Sequence, residues 1–236
     1  MIRAKIRNKY KSIIFLLLLF FCNVKDPYLV PITNIGGGIR QQNALYQKRY
    51  NTPAISVSDL PIRAKNQNEY SPPGLKEFTA KIIDGKSRVI FGIFSAENFA
   101  LNVVQQPSNV PGFVSSINGV ATQFSLPSSY GVIGFLAHNY LSGILFFSLD
   151  LGDEVKVIYG DGEIKGYRVV QIRKYQAIEP NSTTSEFIDL ETGEKIRASE
   201  LFKEVYFGDH HITLQTCIEK DGIDSWGRMF VIADPI

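Results

Sequence analysis

The pattern of apolar and polar positions divides the chain into three parts. Residues 13–21 are apolar without a break, Ile13-Ile14-Phe15-Leu16-Leu17-Leu18-Leu19-Phe20-Phe21, and Cys22 follows. From Asn23 to Gly74 there is little periodicity. That stretch holds Gly36-Gly37-Gly38, a polar tract through Gln41, Gln42, Lys48 and Arg49, the run Asn66-Gln67-Asn68-Glu69, and Ser71-Pro72-Pro73-Gly74 at its end. It reads as an extended linker or stalk with room for one short strand at 55–57. From Leu75 onward, short β-branched and aromatic runs alternate with turn signals, which predicts mainly β structure. The boundaries fall at 1–24 (signal or anchor), 25–74 (linker) and 75–236 (one domain).

Within the domain the pattern predicts a hairpin of strands 78–83 and 88–94 about Asp84-Gly85. Strands follow at 99–104, 112–117, 119–124 and 131–137, with Asn118-Gly119 as a second hairpin signal. One or two helical turns are expected at 143–149. Residues 154–159 and 166–172 form a hairpin about Gly160-Asp161-Gly162, and 173–178 continue its second strand. A loop runs from Glu179, a helix is expected at 198–206, and two strands, 211–217 and 226–232, close the chain. Many short strands with few helices indicate a barrel or sandwich. The segment has no internal repeat.

The charge balance changes the picture of the N-terminus. The chain has 25 basic and 23 acidic residues, a formal net charge of +2. Arg3, Lys5, Arg7, Lys9 and Lys11 all precede the apolar run. Without those five, 20 bases face 23 acids, about −3, so the electrostatic case for a nucleic-acid partner disappears. Basic residues before a short apolar run form an export signal or anchor. Its fate stays open among retention, cleavage and acylation at Cys22, where Leu19-Phe20-Phe21-Cys22 has a bulky residue in place of the small one acylation signals carry.

The closing strands carry the candidate chemistry. If the turn between them is symmetrical, Cys217 and Arg228 lie opposite each other and their side chains share a face. A cation beside a thiol favours the thiolate or stabilises an oxyanion. With Cys22 in the membrane segment or removed, Cys217 is the lone cysteine of an exported domain, either a reactive thiol or an inert buried one. A nucleophile of this kind needs a proton-transfer partner. His211 stands six residues from Cys217 on one strand, about 20 Å away, and His210 is farther still. His138 ends the apolar run Gly131-Val132-Ile133-Gly134-Phe135-Leu136-Ala137 at a strand-to-loop junction, a rigid support for a catalytic side chain or simply a structural histidine. Glu219, Asp221 and Asp224 resemble a cation loop, but Asp221-Gly222 is more simply a turn; no metal or cofactor is expected. Asn181-Ser182-Thr183 fits a glycosylation sequon of a kind frequent by chance, and Trp226 either lines a pocket or packs in the core.

Several of these runs share a resemblance. Thr213-Leu214-Gln215-Thr216-Cys217 resembles the sortase signature Thr-Leu-x-Thr-Cys, and Arg228-Met229-Phe230-Val231 resembles the arginine-led strand that follows it. Gly134-Phe135-Leu136-Ala137-His138-Asn139 is similar to the histidine region of that family. Leu149-Asp150-Leu151-Gly152-Asp153-Glu154-Val155 is similar to its Leu-x-x-Gly-Asp run. The resemblance covers about 75–236. It implies a closed eight-stranded β-barrel with a few short helices and a membrane-tethered cysteine transpeptidase. Cys217 would be nucleophile, His138 general acid and base, and Arg228 oxyanion stabiliser, with Thr216, Trp226 and Asn139 near the substrate. The implied partners are an exported protein with a C-terminal sorting signal and an amine acceptor, a cell-wall precursor or a pilin lysine. Asn139 in place of the frequent arginine after the histidine, and atypical segments at 78–94 and 105–111, mark a divergent branch. A thiol hydrolase with water as acceptor and a non-catalytic binding barrel are the alternatives.

Overall fold

The structure is a computed structural model and describes residues 72–182 and 185–236. The basic head, the apolar run, Cys22 and the linker with its expected strand at 55–57 lie outside the described residues. Among the described residues two α-helices, α1 (Leu75–Ile82) and α2 (Ala198–Tyr206), accompany ten strands. The strands are β1 (Ile90–Ser95), β2 (Phe99–Gln105), β3 (Val120–Phe124), β4 (Ile133–Leu136), β5 (Glu154–Tyr159), β6 (Ile164–Ala177), β7 (Glu186–Asp189), β8 (Lys195–Arg197), β9 (Ile212–Lys220) and β10 (Ile223–Pro235). Short 3-10 helices span Leu126–Tyr130 and Ser142–Ser148.

Eight strands close on themselves. Around the barrel the order is β1-β2-β3-β4-β9-β10-β6-β5, and β5 returns to β1. Closure depends on β6, whose 14 residues are long enough to pair with β5 at one end and with β10 along most of its length. Its far end runs on past the barrel and carries the β7–β8 hairpin outside it. The pairs β2–β3 and β4–β9 are parallel and the rest are antiparallel.

Alternation along the strands sorts side chains between two cores. Ile212 and Leu214 of β9 and Met229, Val231 and Ala233 of β10 point inward to pack with Phe99, Phe135, Phe146 and Tyr167. The intervening Phe230 and Ile232 point outward. There they meet Tyr175, Phe187 and, from α2, Leu201, Phe202, Val205 and Tyr206. The helix α2 therefore roofs the outer face of β4, β9 and β10, leaving that face almost without solvent.

Three elements differ from the sequence expectation. The first strand of the 78–94 hairpin is the helix α1. Phe78 and Ile82, four apart, are buried while Ala80 between them is exposed, which is helical and not strand periodicity. The helix lays these two residues on the outer face of β1 and β5 against Phe94 and Ile158. Residues 112–117 form no strand; the parallel β2–β3 pair needs a crossover, and 106–119 supply it. Gln106 holds this segment by donating to the Pro111 and Phe113 carbonyls while its own carbonyl accepts from Ser125. The loop expected after Glu179 contains β7 and β8.

If α1 is docked in this way, Phe78→Ala should lower the unfolding free energy by about 3 kcal/mol in a denaturant titration. Lys76→Ala, on the exposed side of the same helix, should leave it within about 0.5 kcal/mol.

Candidate active site

The site is built on one rung of the sheet. Cys217 of β9 pairs with Arg228 of β10, and Arg228 in turn pairs with Tyr175 of β6. On the other side β9 runs parallel to β4, with Leu136 opposite Gln215. Continuing that register by two residues brings His138 level with Cys217. The backbone sustains it past the strand end: Ala137 N–H donates to the Gln215 carbonyl at 3.3 Å, and the Thr216 hydroxyl donates to the Ala137 carbonyl at 2.9 Å. Histidine, cysteine and arginine thus stand in order just past the end of β4, on β9 and on β10, on the outer face of the sheet.

The register of the β9–β10 hairpin needs explanation. Asp221 and Gly222 turn the chain with φ of 55° and 76°, a two-residue turn of the primed kind. Lys220 then faces Ile223, and a regular ladder would set Trp226 opposite Cys217. Instead β10 bulges between Ile223 and Gly227. Two extra residues are taken up, the face is preserved, and Arg228 arrives opposite Cys217. Gly227 sits at the close approach where the bulge ends: a Cβ there would lie 2.5 Å from the Tyr175 carbonyl oxygen.

The bulge also supplies acceptors. Arg228 Nη1 donates to the carbonyls of Ser225 at 2.9 Å and Gly227 at 2.8 Å. Asn139 Nδ2 donates to the Asp224 carbonyl at 3.2 Å, tying the segment after β4 to the start of β10. The His138 carbonyl accepts from the Leu141 and Gly143 amides, closing a tight turn. Gly143 lets the second 3-10 helix press on that turn, since a Cβ would meet Thr216 Oγ1 at 2.3 Å and the Ala137 carbonyl at 2.5 Å.

Arg228 is fully buried, its guanidinium 5.9 Å from the Phe187 ring. Its Nε and Nη2 have no hydrogen-bond partner. Loss of hydration pushes its pKa down from 12.5 to about 10, so it stays charged at neutral pH. Because the folded value lies below the unfolded one, the charge costs stability throughout the range below about pH 10. That cost is relieved as pH rises through 10 toward 12.5. Two residues before Cys217 on the same face, Gln215 accepts a 2.6 Å bond from Tyr206 of α2 while its Nε2 donor is unpaired. Burial pushes the Tyr206 hydroxyl well above its ordinary pKa, which keeps it protonated for this bond. Cys217 is disulfide-bonded in the structure. Nucleophilic chemistry at Cys217 requires its reduced form.

Of the sequence candidates, His138, Cys217 and Arg228 come together. Asn139 is adjacent but uses its amide to brace the backbone. Thr216 faces the barrel interior, opposite to Cys217, and its hydroxyl donates to the Ala137 carbonyl. Trp226 lies in the bulge with the Lys220 ammonium 4.7 Å from its ring centroid. The rejected histidines serve the fold. Tyr167 donates to His210 Nε2 at 3.0 Å and His210 Nδ1 donates to the Gly131 carbonyl at 2.7 Å, while His211 faces the carbonyls of Asp209 and Val205. Sequence reasoning missed Gln215 and Tyr140; the latter stacks on His138, and no spacing rule would have drawn attention to it. Among the described residues no group of three His, Cys, Asp or Glu could hold a metal.

No protein-family profile matches the chain, and no curated protein does. The solved structures it is similar to include sortases. A Listeria monocytogenes sortase A aligns at 14% identity and TM-score 0.40, over 63% of this chain and 88% of that one. A Clostridium perfringens sortase D5 transpeptidase aligns at 16% and 0.39, over 68% and 86%. A Streptomyces coelicolor sortase E1, solved with a tripeptide in its active site, aligns at 16% and 0.39, over 63% and 88%. Likeness at this level concerns the backbone alone. The closed eight-stranded barrel stands on its own strand order.

A buried arginine with no carboxylate partner among the described residues is a liability to the fold. Arg228→Met should therefore raise the unfolding free energy at pH 7 by on the order of 2 kcal/mol, measured by denaturant titration. A loss of similar size would mean that the two carbonyl bonds outweigh the desolvation.

Proposed function

We propose that the chain is a sortase-type cysteine transpeptidase, tethered to the membrane by its N-terminal segment. The observation that carries this reading is the pair of unpartnered, buried donors on Arg228, beside Cys217 and on the same rung as His138. An unmade buried hydrogen bond costs about 1–3 kcal/mol. Donors left unmade beside a nucleophile fit an acceptor that exists only during reaction, the oxyanion of a tetrahedral intermediate.

In this mechanism the reduced Cys217, as a thiolate whose proton rests on His138, attacks the scissile carbonyl of an extended peptide. The carbonyl π electrons move to oxygen, and Arg228 Nε and Nη2 hold the resulting charge. His138 gives a proton to the departing amine as the C–N bond breaks and a thioester to Cys217 remains. An incoming amine attacks the thioester, His138 accepts its proton, and the thiolate leaves. Phe187 of β7 and Tyr206 of α2 flank the rung, which assigns the 179–210 region a part in choosing the peptide. The donor is an exported protein with a C-terminal sorting signal, and the acceptor an amine on a wall precursor or a pilin lysine. Among the described residues no helix is long and apolar enough to cross a membrane, so the tether rests on residues 13–21.

The test uses the reduced full chain with fluorogenic peptides of Leu-Pro-x-Thr-Gly type, with and without triglycine. Cleavage should be abolished in Cys217→Ala and should fall about 100-fold or more in His138→Ala and Arg228→Met. Triglycine should convert the product from a free acid to an amide. A free acid in both arms makes the enzyme a thiol hydrolase acting through the same intermediate. Undiminished cleavage by Cys217→Ala would remove the mechanism altogether.

A further inference from the structure

We propose that Tyr140 is a positioning residue for His138, fixing the plane of the imidazole and favouring its protonated form. The inference rests on the reading of His138 as the general acid and base. The two rings stack with centroids 5.1 Å apart and planes inclined by only 20°. His138 is buried and Tyr140 half-buried, so one face of the imidazole is covered by the phenol.

The chain path makes the stack possible. The His138 carbonyl accepts from the Leu141 amide at 3.0 Å and the Gly143 amide at 2.9 Å, so the chain folds back directly after the histidine. Asn139, between the two rings in sequence, is anchored to the Asp224 carbonyl across the sheet. With both neighbours of Tyr140 held, its ring is returned over His138. The turn thus uses the two residues after the histidine in different ways: Asn139 ties the backbone to the bulge and Tyr140 presents a ring.

Stacking has two consequences for acid–base work. It restricts rotation of the imidazole about its last side-chain bond, where the torsional wells are broad. It also places an aromatic face against a ring that becomes cationic, an attraction present only in the protonated state. The imidazolium that must protonate a departing amine is held ready by the ring stacked on it. Among the described residues, the ionisable side chains on the same rung and in the bulge are the Cys217 thiol on β9, the Arg228 guanidinium on β10 and Asp224. None of them is altered by substitution at Tyr140.

The test follows the three histidines of the reduced full chain by carbon-13 labelling and NMR titration, in wild type, Tyr140→Phe and Tyr140→Leu. Tyr140→Phe should keep the ring-current shift and the titration midpoint of His138. Tyr140→Leu, which fills the space without an aromatic face, should lose the ring-current shift and move the midpoint to lower pH. His210 and His211, engaged elsewhere, should hold still in all three. With a cleavable peptide, Tyr140→Leu should lower kcat about 2- to 5-fold at constant KM. A His138 titration unchanged in Tyr140→Leu, or equally displaced in Tyr140→Phe, would overturn the proposal, as would displacement of all three histidines together. If no variant cleaves any peptide, the acyl-transfer reading fails, and the titration still decides the role of Tyr140.

Discussion

The pairing of β9 with β10, with its bulge, is the constraint on which the site depends. A two-residue turn at Asp221-Gly222 sets the hairpin, and an undisturbed ladder would face Cys217 with an indole. Taking up two residues between Ile223 and Gly227 substitutes a guanidinium and preserves the face. The same irregularity exposes the carbonyls of Asp224 and Ser225 to side chains instead of to the ladder. Arg228 takes one and Asn139 the other. One local departure from regular pairing therefore sets what faces the cysteine, holds it in place and links it to the strand that carries the histidine.

The energetics of that arrangement run against stability. A fully buried guanidinium bonded only to two backbone carbonyls is charged at neutral pH and incompletely satisfied. The outer core under α2 surrounds it with Phe187, Tyr175 and Phe230, which remove water without replacing it. Low polarity strengthens whatever charge interaction occurs there, so an oxyanion formed beside Arg228 would be held more firmly than at an exposed site. Gln215, with one end held by Tyr206 and the other unpaired, repeats the pattern on the next rung of the same face. Strain of this kind is expected where binding, and not folding, completes the hydrogen bonding.

Most of the barrel was legible because its strands carry their own signals: apolar runs bounded by Gly160-Asp161-Gly162 and Asp221-Gly222, and a long β6 continuing through 173–177. The helix α2 was legible to the residue. What failed were segments whose form is set by distant partners. Phe78 and Ile82 fit either period, and the outer face of β1 and β5 decides for a helix. Asn118-Gly119 has the chemistry of a hairpin turn, yet β3 pairs in parallel with β2, so Gly119 ends a crossover. The β7–β8 pair is only four and three residues long and takes its register from β6. At the site, Cys217 and Arg228 were paired correctly on a symmetrical turn that does not exist, because the bulge compensates for the tighter turn. Thr216, expected near the substrate, faces the other side of the sheet from Cys217 by strand alternation.

The most direct test of the account needs no substrate. The reduced full chain is alkylated with iodoacetamide across a range of pH, and Cys217 and Cys22 are followed separately by peptide mass spectrometry. If the rung makes Cys217 a nucleophile, it should react at neutral pH faster than Cys22. That advantage should fall about tenfold or more in both Arg228→Met and His138→Ala, as the thiolate loses the groups that favour it. A Cys217 no more reactive than Cys22, or one indifferent to both substitutions, would contradict the claim that these three side chains act as one centre.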